Sequence, residues 1–278
     1  MVDKGEINAG QQVASTVIRE VTKKAQRKDL LELINGISAP EIISGDLAER
    51  IYDRIRRDSG VGGKYEGLSP FDFLTLKESN GKKVLAGSNG FILPRINHIL
   101  KMGNAHVADL GDIKDDLGKR KDYYVNFALL VKLVTSQEIR EGSVEYTMPV
   151  MDMLTTKLLL PIKSDLSSRY RSIELIIIPF SNLSLVYDKE VEDHMALHLI
   201  KKSNVYAFNE FFRDSPAREM AYDSLNKRKK PISYGLSTIS ITPSGSIEIS
   251  DDGLQCSGSS GRIIAVPDNY KGKKSVVN

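Results

Sequence analysis

Tyr123-Tyr124-Val125-Asn126-Phe127-Ala128-Leu129-Leu130-Val131-Lys132-Leu133-Val134 is the stretch on which the fold turns. Its β-branched and aromatic side chains pack well on a pleated surface, so it predicts a buried strand. Ser172 to Ile178 predicts a second one, because Leu175-Ile176-Ile177-Ile178 runs without a polar break up to Pro179. Further along, Ser237 to Ile241 and Ser246 to Ile249 read as strands around the turn residues Thr242 to Gly245, and Arg262 to Val266 supplies the last strand. These runs argue against an all-helical bundle. Toward the N-terminus, Phe71, Phe73 and Thr75 alternate with Asp72, Leu74 and Leu76, and Ser79-Asn80-Gly81 offers a tight turn into Lys82 to Ala86. Ser88-Asn89-Gly90 reads as another turn before Phe91-Ile92-Leu93. Val144 to Met148 alternates, whereas Met151 to Leu160 fits a strand and a short helix equally well.

Helical periodicity flanks this β core. Val13, Val17, Ile18 and Val21 recur at helical spacing, predicting a helix from about Gln11 to Ile34 that stops at Asn35-Gly36. Asp46 is expected to cap a second helix reaching about Arg57, with Leu47, Ile51 and Ile55 on its buried side and a hinge from Ser59 to Gly63 after it. Val191, Met195, Ala196 and Leu199 form a stripe that predicts a helix from Lys189 to Lys202. Another helix is expected from near Asn209, interrupted at Ser215-Pro216 and continuing through Leu225. The fold class is therefore α+β: an N-terminal helical arm, then a mixed or antiparallel β core with C-terminal helices and strands. Residues 1–58 read as a helical arm or interaction subdomain, 64–268 as the main α+β domain, and 269–278 as a flexible tail. An apolar stripe on the arm would need covering, by self-association or by a partner.

A chain of 278 residues with 41% hydrophobic content suffices for one substantial core. The 39 basic residues against 36 acidic ones leave only +3, so any polyanion contact must come from local patches. A single Cys256 excludes an intrachain disulfide framework and fits a reducing, cytoplasmic or other intracellular setting. The N-terminus lacks the pattern of a secretory signal, and no apolar run reaches the roughly 20 residues that span a bilayer, so no transmembrane segment is expected.

Lys227-Arg228-Lys229-Lys230, set before Pro231, is the clearest interaction signal, because four adjacent cations can neutralise phosphate oxygens or an anionic lipid surface. Lys201 and Lys202 are expected to extend that field. Lys23-Lys24-Ala25-Gln26-Arg27-Lys28 is a second basic segment within the first predicted helix, also readable as the polar face of an ordinary amphipathic helix. Tyr123 and Tyr124 beside Lys119, Arg120 and Lys121 fit base stacking, and fit core tyrosines at a strand start better. Asp109, Asp112, Asp115 and Asp116 concentrate carboxylates that suit a hard cation, but without the spacing of a calcium loop, and an exposed charged turn is the plainer expectation. His194 and His198 would share one face of the predicted 189–202 helix, yet no third ligand or internal Glu accompanies them. Ser257-Gly258-Ser259-Ser260-Gly261-Arg262 is flexible enough to wrap an anion but has the wrong spacing for a phosphate-binding P-loop. No catalytic residue, metal ligand or cofactor is assigned.

Asp109-Leu110-Gly111-Asp112 and the run from Leu175 to Val186 resemble pieces of plant-virus movement proteins over less than half of the chain. That resemblance implies a role in transporting viral nucleic acid between cells. The expected function is a non-enzymatic nucleic-acid-binding or viral-like assembly protein, with single-stranded RNA or another polyanion as partner, homo-oligomer formation, and peripheral contact with anionic membranes. A metal-dependent phosphodiesterase or nuclease is the enzymatic alternative. A structural oligomerisation protein that does not bind nucleic acid is the third.

Overall fold

The structure, a computed structural model, describes residues 24–60, 63, 69–113, 122–132, 175–188, 194–201, 203–213, 216–227, 236–250 and 257–270. It is an α+β protein whose strand ladders are antiparallel. Helix α1 covers residues 24–35 and ends at Gly36, as the Asn35-Gly36 signal predicts. The expected start of that helix near Gln11, with the Val13 to Val21 stripe, lies outside the described residues. Strand β1 (Glu41–Ile42) leads into α2 (Gly45–Ser59). Ser44 takes the extended N-cap position, and Asp46 sits in the first turn, where a carboxylate favours the positive end of the helix dipole. Leu47, Ala48, Ile51 and Ile55 form the buried stripe of α2.

Phe71 and Phe73, expected in a strand, instead lie in a 3-10 turn (Ser69–Phe73) ahead of β2 (Thr75–Ser79). Phe71 is buried while Phe73 is exposed, so the short turn achieves the separation that alternation suggested. The β2–β3 hairpin follows expectation, with β3 at Lys82–Ala86 and both turn residues at positive φ, Asn80 at 51° and Gly81 at 72°. Phe91-Ile92-Leu93 opens helix α3 (Ile92–Lys101). The Ser88-Asn89-Gly90 signal is its cap: Asn89 Oδ1 accepts the N–H groups of Phe91 at 2.9 Å and Ile92 at 2.8 Å.

After β4 (Ala105–Val107) and the short α4 (Leu110–Ile113), the two decisive runs become β5 (Val125–Lys132) and β6 (Leu175–Pro179). They pair side by side, with Leu129 opposite Ile178 and Val131 opposite Ile176. Leu129, Val131, Ile176 and Ile178 join one apolar cluster with α1, α2 and α3, while Phe127, Leu130 and Ile177 join a second. Burial on both faces explains why these strands read as continuous apolar runs rather than alternating ones. A 3-10 turn (Phe180–Asn182) connects β6 to β7 (Leu183–Asp188).

The predicted 189–202 helix is a misreading. Residues His194–Leu199 form strand β8, paired with β7 so that Leu197 faces Leu185 and His198 faces Ser184 across the ladder. Met195, Leu197 and Leu199 fit a period of two as well as Val191, Met195 and Leu199 fit a helical one, and pairing with β7 decides between them. Asn182 fixes the exit of β8: its Nδ2 donates to the Lys201 and Asn204 carbonyls, and its Oδ1 accepts the Lys201 N–H.

Strand β9 (Tyr206–Ala207), α5 (Phe208–Phe211) and α6 (Ala217–Lys227) follow, the two helices matching the segments expected on either side of Ser215-Pro216. The chain then forms β10 (Leu236–Ile241), β11 (Ile247–Ser250) and β12 (Ile264–Pro267). The main sheet runs β11-β10-β5-β6-β9, and a smaller one runs β1-β12-β4. The second apolar cluster fills the face under α5 and α6 with Phe208, Phe212, Ala217 and Ala221 against Ile239, Ile249 and Val266. Val144 to Met148, Met151 to Leu160 and residues 271–278 lie outside the described residues. Among the described residues, no helix is long and apolar enough to cross a membrane.

Candidate functional site

Helix α2 carries a second stripe beside its buried one. Arg50, Arg54 and Arg57 recur at i, i+4 and i+7, which places them on one helical face with successive rises of about 6 and 4.5 Å. Helix α1 lies across this face and contributes Gln26, Arg27 and Leu30. Together with Arg56, Asp53 and Asp58 they line a cleft of about 960 Å³. Five guanidinium groups therefore meet two carboxylates in one concave surface.

The fixed part of the cleft is Asp58. It accepts from Arg54 Nε at 3.3 Å and from Arg95 Nη2, a guanidinium of α3 whose side chain is 5% exposed. A buried guanidinium requires such a partner, so the Arg95–Asp58 pair ties the cleft to the core. Arg57 is oriented by Gln26, whose Oε1 accepts from its Nη1 at 2.5 Å, and by the Asp53 carbonyl at 3.2 Å from its Nε. The outer arginines are more loosely held. Arg50 lies 3.6 Å from Asp29 and Arg56 lies 3.1 Å from Asp72, both pairs open to solvent.

A second polar assembly surrounds His106 on β4. Its Nδ1 lies 2.7 Å from Asp268 Oδ1 and its Nε2 lies 3.5 Å from Asp112 Oδ2, while Lys101 Nζ donates to Asp268 at 2.8 Å. Burial works against a charged His106, but its hydrogen bonds with Asp112 and Asp268 outweigh burial and raise its pKa. Burial also pushes Asp112 up, and the bonds from His106 and from the Asp109 N–H outweigh it and hold the carboxyl below its ordinary range. Asp268 is held low in the same way by Lys101 and His106, against burial. Asp109 goes the other way: burial, then the Asp112 charge, push it up to about 6.

Asp109 and Asp112 are thus half-buried, which corrects the exposed charged turn expected of this segment. Asp115, Asp116 and Lys119 to Lys121 lie outside the described residues. A carboxyl raised to about 6 near an imidazole is capable of acid–base chemistry. However, both ring nitrogens of His106 are already engaged, and neither the arginine cleft nor the pocket at Lys227 includes a residue of this assembly. Among the described residues, no group of three or more His, Cys, Asp or Glu side chains is arranged to hold a metal ion.

Of the basic residues singled out in the sequence, Lys201 follows β8 and is exposed. Lys227 ends α6 and lines a pocket of about 500 Å³ with Asp223, Ser224, Thr242 and Glu248. Lys202, Arg228, Lys229 and Lys230 lie outside the described residues, and neither Lys201 nor Lys227 lines the arginine cleft. His194 and His198 sit in strand β8, opposite Asp188 and Ser184, rather than on a helical face. The 257–262 loop is folded onto Tyr124. The tyrosine hydroxyl accepts the Gly258 N–H at 2.8 Å, and Arg262 Nη1 donates to the carbonyls of Ser259 and Gly261. A Cβ on Gly261 would lie 2.8 Å from the Tyr124 ring, so only glycine fits there. Tyr124 is accordingly a packed, hydrogen-bonded residue at a strand start.

Arg27 lies within the basic segment singled out in the sequence, whereas Arg50, Arg54, Arg56 and Arg57 do not. Their spacing was a legible signal, a basic stripe next to an apolar one. That α1 crosses it was not. No protein-family model matches the chain, and no curated protein or solved structure matches it significantly.

Proposed function

We propose that the protein is a non-enzymatic nucleic-acid-binding protein that grips the phosphate backbone electrostatically, with single-stranded RNA as its first candidate ligand. The observation that supports this is the convergence of Arg27, Arg50, Arg54, Arg56 and Arg57 on one cleft. Guanidinium groups match phosphate oxygens with paired N–H donors, and each phosphate they neutralise releases condensed counterions. Lys201, Lys202 and Lys227 to Lys230 are proposed as an auxiliary basic field that supports the same contact or reaches an anionic membrane. The single cysteine of the sequence fits action inside the cell.

The test compares three folded proteins: wild type, Arg27→Gln/Arg50→Gln/Arg57→Gln, and Lys227→Ser/Arg228→Ser/Lys229→Ser/Lys230→Ser. Each is titrated with single-stranded RNA, double-stranded DNA and anionic vesicles over a salt series. The cleft variant is expected to lose most RNA affinity, and the slope of log K against log salt should flatten by about 2, at about 0.7 per phosphate contact on a single strand. Absence of binding by wild type at low salt, or undiminished binding by the cleft variant, overturns the assignment. Metal-dependent RNA cleavage abolished by Asp109→Asn would install the nuclease alternative in its place.

We further propose an assembly role for the N-terminal arm, based on the apolar stripe of its sequence. Leu30 and Ile34 belong to the core, so the truncation must stop at residue 23 and leave α1 intact. An unchanged mass in equilibrium sedimentation at matched concentration, with folding retained, would count against that role and would favour a monomeric nucleic-acid binder.

A further inference from the structure

Two of the cleft arginines are met by carboxylates that the core does not need. Asp29 on α1 and Asp72 in the 3-10 turn have side chains 50% and 71% exposed, and they contact Arg50 at 3.6 Å and Arg56 at 3.1 Å. Asp58 differs in kind, because it is only 23% exposed and is shared by Arg54 and the buried Arg95. Asp58 is anchored by two guanidinium groups, one of them buried, whereas exposed pairs such as those of Asp29 and Asp72 hold weakly and exchange readily. A carboxylate beside a guanidinium presents the same ligand chemistry as a phosphate, two anionic oxygens facing N–H donors.

We propose that Asp29 and Asp72 are intramolecular stand-ins for phosphate, a charge latch that occupies Arg50 and Arg56 until a polyanion displaces it. This rests on the reading of the cleft as a nucleic-acid site and adds the regulation of that site. The two carboxylates keep guanidinium N–H groups of Arg50 and Arg56 against anionic oxygens, and they set a threshold. A weakly charged ligand does not displace both, while a polymer of closely spaced phosphates engages both arginines together and does. Arg54 remains bonded to Asp58 throughout and acts as a positioning residue, so the contact to phosphate falls to the residues around it.

The test is the binding of a fluorescein-labelled poly(U) strand, followed by anisotropy at low salt, to the wild-type full chain, to Asp29→Asn/Asp72→Asn, and to Glu41→Gln/Glu78→Gln. The last pair lies on exposed strand positions away from the cleft and changes the net charge by the same amount. Releasing the latch is expected to tighten binding by about 2- to 30-fold, the range for freeing two exposed ion pairs, with little change in the control. The difference should shrink as salt screens the pairs. An equal gain in both variants would mean that net charge alone is at work and would overturn the latch. Unchanged affinity in Asp29→Asn/Asp72→Asn, with wild type binding normally, would overturn the latch and leave the nucleic-acid assignment standing. Failure of all three proteins to bind would remove both, while binding by the released variant alone would mark a latch stronger than expected.

Discussion

Asn97 is a fully buried polar side chain at the junction of three elements, and replacing it by alanine should be among the most damaging single changes in the molecule. Its Nδ2 donates to the carbonyls of Ser181 at 3.0 Å and Leu183 at 2.9 Å, and its Oδ1 accepts the Val107 N–H at 3.0 Å. One side chain of α3 thus holds both the entry to β7 and the strand that carries His106. In Asn97→Ala the Val107 N–H loses this partner in a dry environment, at about 1–3 kcal/mol, and two carbonyls lose a donor at about 0.5–1.5 kcal/mol each. The total is about 2–6 kcal/mol, a large share of the roughly 5–15 kcal/mol that separates native from unfolded states. Urea unfolding monitored by circular dichroism measures it as a drop in midpoint at unchanged slope. Asn97→Asp keeps the acceptor for Val107 but sets a carboxylate against two carbonyls, so it should be at least as unstable. Ser184→Ala, which removes only the half-buried contact to His98 Nδ1 at 3.0 Å, should cost about 1 kcal/mol or less. An Asn97→Ala protein within about 1 kcal/mol of wild type would refute the reasoning.

Stability should respond to pH through the His106 assembly. Asp109 is raised to about 6 and His106 is raised above its ordinary value, so both bind protons more tightly in the folded chain, and their stabilisation is lost as pH rises through those folded pKa values. Asp112 and Asp268 are lowered, so theirs is lost as pH falls below the usual carboxylate range. Asp109→Asn should therefore flatten the decline in melting temperature between about pH 4 and 6 relative to wild type, and parallel profiles would rule out a titrating Asp109. Arg95→Met, which takes the buried one of Asp58's two guanidinium partners among the described residues, should destabilise by about 3 kcal/mol, and adding Asp58→Leu should restore part of it. A double variant no more stable than the single one in urea unfolding would show that the pair is not the source of the loss.

The parts of the fold that the sequence disclosed are those where local pattern and tertiary environment agree. Strands β5 and β6 are apolar on both faces because both faces are buried, and the Asn80-Gly81 turn needs no distant partner to take positive φ at both positions. Misreading arose where two periods compete within one short segment, as at Met195, Leu197 and Leu199, where pairing with β7, the strand just before it in the chain, decides for the period of two. Helix α3 was hidden for a different reason. Asn89 is a turn residue by type, and whether its side chain closes a turn or caps a helix depends on the burial of the ten residues that follow. The half-buried Asp109 and Asp112 were equally illegible, since carboxylates in a polar run look exposed until His106, itself held by Asp268, is brought beside Asp112 from β4.

The arginine cleft sharpens what overall charge means for this chain. The whole sequence carries +3, and the cleft lining of five arginines and two aspartates also sums to +3, of which the flanking Asp29 and Asp72 offset two charges while they pair with Arg50 and Arg56. A polyanion approaching from a distance meets an almost neutral particle, and beyond a Debye length of about 8 Å at physiological ionic strength it gains little from any single face. Attraction becomes appreciable only at short range, where the concave, partly desolvated surface between α1 and α2 concentrates the field. Such a protein should associate without strong long-range steering and should discriminate by whether phosphates reach Arg50, Arg56 and Arg57 together. Its association rate should accordingly depend on salt much less steeply than its dissociation rate, the opposite of a protein that carries its positive charge spread over an open surface.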